Sequence, residues 1–286
     1  MQIKNLESES RKIIETMGSF SVLENQKDES VSPWNATAEY FMQKMGVRRR
    51  QIVAKLTGEN TIIIQAGAMQ WTSGNVQATT GVKGAGDFLG KMVKGAVTKE
   101  SAVKPEYTGR GYLVLEPTYK FLILQDVEEW GPEGVTVEDG MFLACEGTVN
   151  RKVVARSNFS SAIAGGEGLF NLSLNGKGIV ALESNVPLKE LIEIQLENDE
   201  LKIDGNFAVC WSTGLKFTVE RSSKSLIGSA VSKEGLVNVY RGTGKVLISP
   251  YAPTNSLYNA TNTVKANAAS TAGNIIGGIA NGLLGG

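Results

Sequence analysis

The chain has 286 residues with 29 Lys plus Arg against 29 Asp plus Glu, so no net field exists to hold a polyanion, and a wholly electrostatic nucleic-acid binder is disfavoured, a local basic patch staying open. No apolar run approaches the roughly 20 residues of a membrane-spanning helix, and Glu7, Glu9 and Glu15 near the start are unlike a signal peptide, which places the expected location in the cytoplasm. Histidine is absent, which removes Ser-His-Asp and Cys-His catalysis, carboxylate-histidine zinc sites and the imidazole pH switch.

In chain order, residues 5 to 17 predict a short amphipathic N-terminal helix, with Leu6, Ile13, Ile14 and Met17 forming an incomplete apolar stripe. Polar residues from Glu24 to Ser32 and then Pro33 read as a linker, so residues 1–34 form an N-terminal helix and linker. Arg48-Arg49-Arg50 is the densest basic run, and Arg151, Lys152 and Arg156 form a second. Without aromatic interleaving these read as cations guarding strand edges, and nucleic acid is not an expected partner.

From Ile52 onward, short runs of Val, Ile, Leu and aromatics alternate with Gly, Asn-Gly or Asp-Gly, the rhythm of an all-β domain. One phrase occurs three times: Gly109-Arg110-Gly111, Gly176-Lys177-Gly178 and Gly242-Thr243-Gly244, each followed by an apolar run. Glycine at these positions predicts tight hairpins, because such turns need positive φ. A phosphate loop would require a helix where a strand follows. Together with a worn first copy near Thr57 to Gly74, the phrases divide residues 35–252 into units of about 35–100, 101–165 and 166–250. The expected fold is antiparallel β units forming a double-stranded β-helix or β-sandwich.

Cys145 and Cys210 close the matched phrases Asp139-Gly140-Met141-Phe142-Leu143-Ala144-Cys145 and Asp204-Gly205-Asn206-Phe207-Ala208-Val209-Cys210, so they read as small core residues. Ser157, Ser160 and Ser161, like Ser222, Ser223 and Ser225, fall in matched connectors and lack an activating base. Glu100, Glu167 and Glu234 stand eight or nine residues ahead of the Gly-x-Gly phrases. Three equivalent carboxylates could converge on a cation, but each neighbours Gly or Ser and reads as a turn-stabilising acceptor, so no metal and no cofactor is expected.

Two segments depart from the rhythm. Between Gly81 and Gly95, Phe88, Leu89, Met92 and Val93 lie among glycines and lysines, suited to a membrane surface or a neighbouring subunit, or else to a long β connection. The tail, residues 253–286, is Gly-rich and places Ile275, Ile279 and Leu283 on one helical face, where a partner could order it.

The phrases NATAEYFMQKMGVRRRQIVAKL (Asn35 to Leu56), QAGAMQW (Gln65 to Trp71), TKESAVKPEYTGRG (Thr98 to Gly111), GGEGLFNLSLNGKG (Gly165 to Gly178) and EGLVNVYRGTG (Glu234 to Gly244) look like the altered-inheritance-of-mitochondria (twenty-four) family. The resemblance covers about Tyr40 to Pro250. It implies a fold similar to the tryptophan RNA-binding attenuator protein-like superfamily, often oligomeric, and a mitochondrial relative associated with the inner membrane. It supplies no catalytic residues. The resulting expectation is a non-enzymatic scaffold that self-associates and touches a membrane surface. The alternative is a module binding a small ligand or RNA in a groove between repeats, on fold analogy alone.

Overall fold

The computed structural model describes residues 3–79, 104–155, 170–221 and 236–251. Every element described below lies within the unit Met1–Pro250.

Nine strands form one sheet: β1 (Arg11–Met17), β2 (Phe20–Asn25), β3 (Arg50–Thr57), β4 (Ile62–Ile64), β5 (Met69–Thr79), β6 (Glu106–Leu115), β7 (Phe121–Asp126), β9 (Phe142–Glu146) and β12 (Ile179–Ser184). Their order is β1-β2-β3-β6-β4-β9-β12-β7, with β5 added on β6. Seven more form the second: β8 (Val135–Val137), β10 (Val149–Ala155), β11 (Phe170–Gly176), β13 (Ile192–Asp204), β14 (Ala208–Ser212), β15 (Lys216–Arg221) and β16 (Leu236–Ile248). Their order is β10-β11-β8-β14-β16-β13, with β15 on β16. Every strand pairing among the described residues is antiparallel.

Why the central strands read as unbroken apolar runs follows from the layering. The first sheet curls into a near-barrel, so one face turns inward and the other meets the second sheet. Ile62, Ile64, Leu122, Leu124, Ile179 and Ala181 pack inside the curl. Their neighbours Ile63, Ile123, Val180 and Leu182 point the other way and join Val135, Val137, Leu172, Leu174 and Leu247 of the second sheet. With a side-chain period of two, both faces of β4, β7 and β12 are dry, and alternation with polar residues disappears. The curl is sealed where Arg50 at the head of β3 exchanges backbone hydrogen bonds with Thr118, just before β7, at 2.8 and 2.9 Å.

Two expectations are corrected. Residues 5–17 hold no helix: β1 pairs with β2 through the Gly18-Ser19 turn, so what was read as helix and linker carries two strands of the first sheet. Ile13, Glu15 and Met17 turn toward the protein, a period of two rather than 3.6. The short helix is instead α1 (Ala36–Lys44).

The Gly-x-Gly phrases, secondly, are not hairpin turns. Gly109 and Gly111 lie inside β6, at the point where one neighbour changes from β4 (Ile62↔Tyr107) to β3 (Thr57↔Arg110) while β5 continues along the other side. Gly242 and Gly244 lie inside β16, between its pairing with β15 and its pairing with β14. Gly176 ends β11 in the second sheet and Ile179 begins β12 in the first. In each case the chain changes partners there. In the first phrase the reason for glycine is close backbone approach: a Cβ on Gly111 would stand 1.9 Å from the Ser73 carbonyl oxygen, and one on Gly109 2.0 Å from that of Asn75.

Candidate interaction surface

Helix α1 stands beside the seam that closes the curl. Its segment is built of good helix formers, Ala36, Ala38, Glu39, Met42, Gln43 and Lys44, with an acid in the first turn and a base in the last. Gly46, at φ +76°, ends it: the Gly46 N–H reaches the Gln43 carbonyl at 3.1 Å and the Val47 N–H reaches that of Met42 at 2.8 Å, a Schellman closure.

The three arginines after α1 hold this corner together. Arg50, 5% exposed, donates from Nε to Glu24 Oε2 at 2.8 Å, and its Nη2 stands 2.7 Å from the same oxygen. Its guanidinium also lies 4.3 Å from the centre of the Phe121 ring. Arg48 adds a bond to Glu24 Oε1 at 3.1 Å. Arg49 pairs with Asp28 at 2.8 Å and Glu39 at 3.5 Å and donates from Nε to the Tyr119 hydroxyl at 2.7 Å, while that hydroxyl donates to Glu39 of α1 at 2.8 Å. Two hydrogen bonds from Ser30, helped by the Arg49 charge, hold the Asp28 carboxyl below its ordinary range. The expected edge role of this run is therefore corrected: β3 lies between β2 and β6, and the arginines face internal acids. Arg151 and Lys152, by contrast, do lie on β10, a terminal strand of the second sheet.

What the corner presents outward is apolar. No residue of α1 is buried. Trp34 is 97% exposed, Met45 81%, Phe41 62% and Tyr40 56%. Tyr40 and Phe41 meet edge to face with ring centres 5.5 Å apart, and Lys44 Nζ stands 5.4 Å from the Tyr40 ring centre. Helix α1 is anchored through Glu39 yet has no fully buried residue, and with Trp34 before it and Met45 after it four large apolar side chains are exposed within twelve residues. Sequence reading missed it because Trp34 stands in a stretch read as linker. The available signal was the crowding of Trp34, Tyr40, Phe41, Met42 and Met45 within twelve residues.

Of the residues singled out from sequence, Glu100, Glu167, Glu234, Phe88, Leu89, Met92, Val93, Ile275, Ile279 and Leu283 lie outside the described residues, as do the six connector serines. Cys145 and Cys210 are free thiols buried in the layer between the two sheets. Burial pushes Cys145 up to about 11 and Cys210 up to about 12, which leaves both as unreactive thiols at neutral pH. Among the described residues no group of His, Cys, Asp and Glu could hold a metal ion, and no helix is long and apolar enough to cross a membrane.

A second polar device escaped sequence reading. Glu146, at the end of β9, accepts from the Ser19 N–H at 2.9 Å, the Ser19 hydroxyl at 2.6 Å and the Ile179 N–H at 3.0 Å. One carboxylate thereby ties the β1–β2 turn to the crossing from β11 into β12. Side chains at Gly18 or Gly178 would collide with it, their Cβ atoms falling 2.7 and 2.9 Å from its oxygens.

Fold and surface together define an all-β protein of curled antiparallel sheets with one anchored, outward-facing aromatic helix. The chain belongs to the mitochondrial biogenesis AIM24 family, whose model matches residues 42–251. It is 30% identical over 195 residues to an uncharacterized protein of Streptococcus pyogenes serotype M6, M6_Spy0233, covering 66% of this chain and 76% of that protein. Among solved structures it is similar to the protein SPYM3_0169 from Streptococcus pyogenes, with a TM-score of 0.54 and 24% identity over 77% of this chain and 94% of the other. That likeness shows the fold. Trp34, Tyr40 and Phe41 precede the residues that the family model matches.

Proposed function

We propose that the protein is a non-enzymatic scaffold that self-associates and rests on a lipid surface through α1. The observation that carries the membrane contact is the exposure of Trp34 (97%) just ahead of α1, of Tyr40 and Phe41 on it and of Met45 just after it, on a helix with no fully buried residue. Trp and Tyr combine an apolar ring with a polar edge and favour the interface between headgroups and acyl chains. Fully withdrawing a large apolar side chain from water contributes about 1.5–3 kcal/mol, so partial insertion of four suffices for reversible attachment. Because Arg48, Arg49 and Arg50 are committed to Glu24, Asp28 and Glu39, attraction to anionic headgroups is a minor contributor. The same commitment leaves the arginine run little to offer an RNA backbone.

Flotation with zwitterionic phosphatidylcholine vesicles tests this reading. The wild type floats at both about 0.05 M and about 0.5 M salt, since apolar insertion is not screened. Trp34→Ser combined with Phe41→Ser lowers the floating fraction at least roughly tenfold. A wild type that stays with the soluble fraction, or a double variant that floats equally, contradicts the assignment.

A further inference from the structure

The chain is fixed on both sides of α1. Ahead of it, the Asn25 N–H donates to the Arg49 carbonyl at 2.9 Å, and the Gln26 N–H to that of Ser10 at 2.7 Å. Asp28, held by Ser30, pairs with Arg49 at 2.8 Å. Behind the helix, Arg50 Nη2 donates to the Gly46 carbonyl at 3.3 Å. Residues 31–45 therefore leave the protein and return to it at one place, an arm whose two ends meet at Arg49 and Arg50.

Between those ends little holds the arm. The backbone hydrogen bonds around α1 run between residues 32 and 47 and reach no strand. Among the described residues, Glu39 is the one residue of α1 whose side chain is bonded outside the helix: it accepts from the Tyr119 hydroxyl at 2.8 Å and stands 3.5 Å from Arg49. Of the other helix residues Ala36, Met42 and Gln43 are half-buried and the rest are exposed. A segment with no buried residue and a single polar tether opens locally at a free energy well below that of global unfolding.

We infer that residues 31–45 form a latched arm: the contacts of Glu39 with Tyr119 and Arg49 hold α1 against the seam, and their release lets the arm swing outward while the sheets stay intact. As a switch it rests on the reading of α1 as the lipid contact and supplies the regulation of that contact. A ligand shifts an equilibrium between two states only through a difference in its affinity for them. Met42 provides that difference. Half-buried in the docked arm, it joins Trp34, Tyr40, Phe41 and Met45 in the acyl boundary once the arm is released, so a lipid surface favours the open form.

The test is the distance between two spin labels in the full chain, at Thr37→Cys in the first turn of α1 and Lys55→Cys on β3, both exposed positions, with Cys145 and Cys210 too buried to take label. Tyr119→Phe with Glu39→Gln weakens the latch and spares Asp28 and Arg49, which hold the base of the arm. The expected result is a second, longer distance whose share relative to the docked one rises about tenfold in that variant, the loss of one charge-assisted hydrogen bond, and which rises in the wild type when phosphatidylcholine vesicles are added. Unchanged hydrogen-exchange protection in β3 and β6 confirms that the sheet has not loosened. A single distance unchanged in the variant overturns the arm and leaves the lipid contact standing. A wild type that floats with vesicles yet keeps only its docked distance overturns the switch. A wild type that fails to float overturns the lipid reading and the switch with it, while the variant still decides whether the arm opens.

Discussion

Removing the Arg50 guanidinium isolates the contribution of the ion pair at the seam. In Arg50→Met the chain length and most apolar contacts survive, but Glu24, itself 8% exposed, loses the donor that stands 2.7 and 2.8 Å from its Oε2. Breaking one partner out of a buried pair costs about 3–5 kcal/mol, because the remaining charge stays buried without compensation. Glu24 keeps Arg48 at 3.1 Å and Gln26 at 3.0 Å, which sets the expected loss at the lower end, about 3 kcal/mol. For a domain of this size that corresponds to a melting temperature lower by roughly 6–12 °C. The backbone bonds that seal the seam, from Arg50 to Thr118, do not involve the side chain and remain. Adding Glu24→Met removes the stranded charge, and the double variant is expected within about 1 kcal/mol of the wild type. Urea denaturation of both singles and the double measures this as a cycle. A single variant that loses under about 1 kcal/mol, or a double variant in which the losses add, refutes the reasoning.

Glu146→Ala strands three donors, two on Ser19 and one on Ile179, and is expected to cost about 2–4 kcal/mol in urea unfolding, with Glu146→Gln losing roughly half; a loss under about 0.5 kcal/mol would show the carboxylate to be dispensable. Glu220 is held down to about 2, chiefly by its bond from Arg241 and then by Thr218, against an ordinary value of 4.5. A depressed carboxylate stabilises the fold above its ordinary value, and that stabilisation fades as pH falls from there through about 2. The melting temperature of the wild type should therefore drop more across this window than that of Glu220→Gln, and parallel curves would dismiss the pair as a contributor. Both thiols, raised by burial, should resist a maleimide in the native state at pH 7 and react on unfolding. Rapid native labelling would contradict their placement between the sheets.

How much was legible in the sequence depended on how local the cause was. Ile62-Ile63-Ile64 and Leu122-Ile123-Leu124 are short apolar runs bounded by turns, and they are strands buried on both faces. Strand β1 misled because Leu6, Ile13, Ile14 and Met17 fit a helical stripe, while its true inward row includes Glu15. That carboxyl is raised above its ordinary value by burial and spoils the polar-apolar alternation. For the first Gly-x-Gly phrase the residues alone signalled a need for glycine but not the close backbone approach behind it, from a strand some 35 residues earlier: Gly111 lies against Gly74. Arg48, Arg49 and Arg50 looked like a cationic patch because the acids that neutralise them, Glu24, Asp28 and Glu39, are brought in by β2, the β2–α1 connection and α1. The exposed aromatic surface around α1 was least legible of all. A helix that buries no side chain has no apolar stripe to announce it.

Tryptophan fluorescence on titration with phosphatidylcholine vesicles tests the central claim most directly. Of the four tryptophans, Trp130 and Trp211 are buried and Trp71 is half-buried, so Trp34, two residues ahead of α1, is the exposed reporter. The account predicts a blue shift and protection from aqueous quencher as vesicles are added, undiminished by salt, and lost in Trp34→Phe although that variant still floats. Emission that does not respond to vesicles, or a shift that persists in Trp34→Phe, contradicts it.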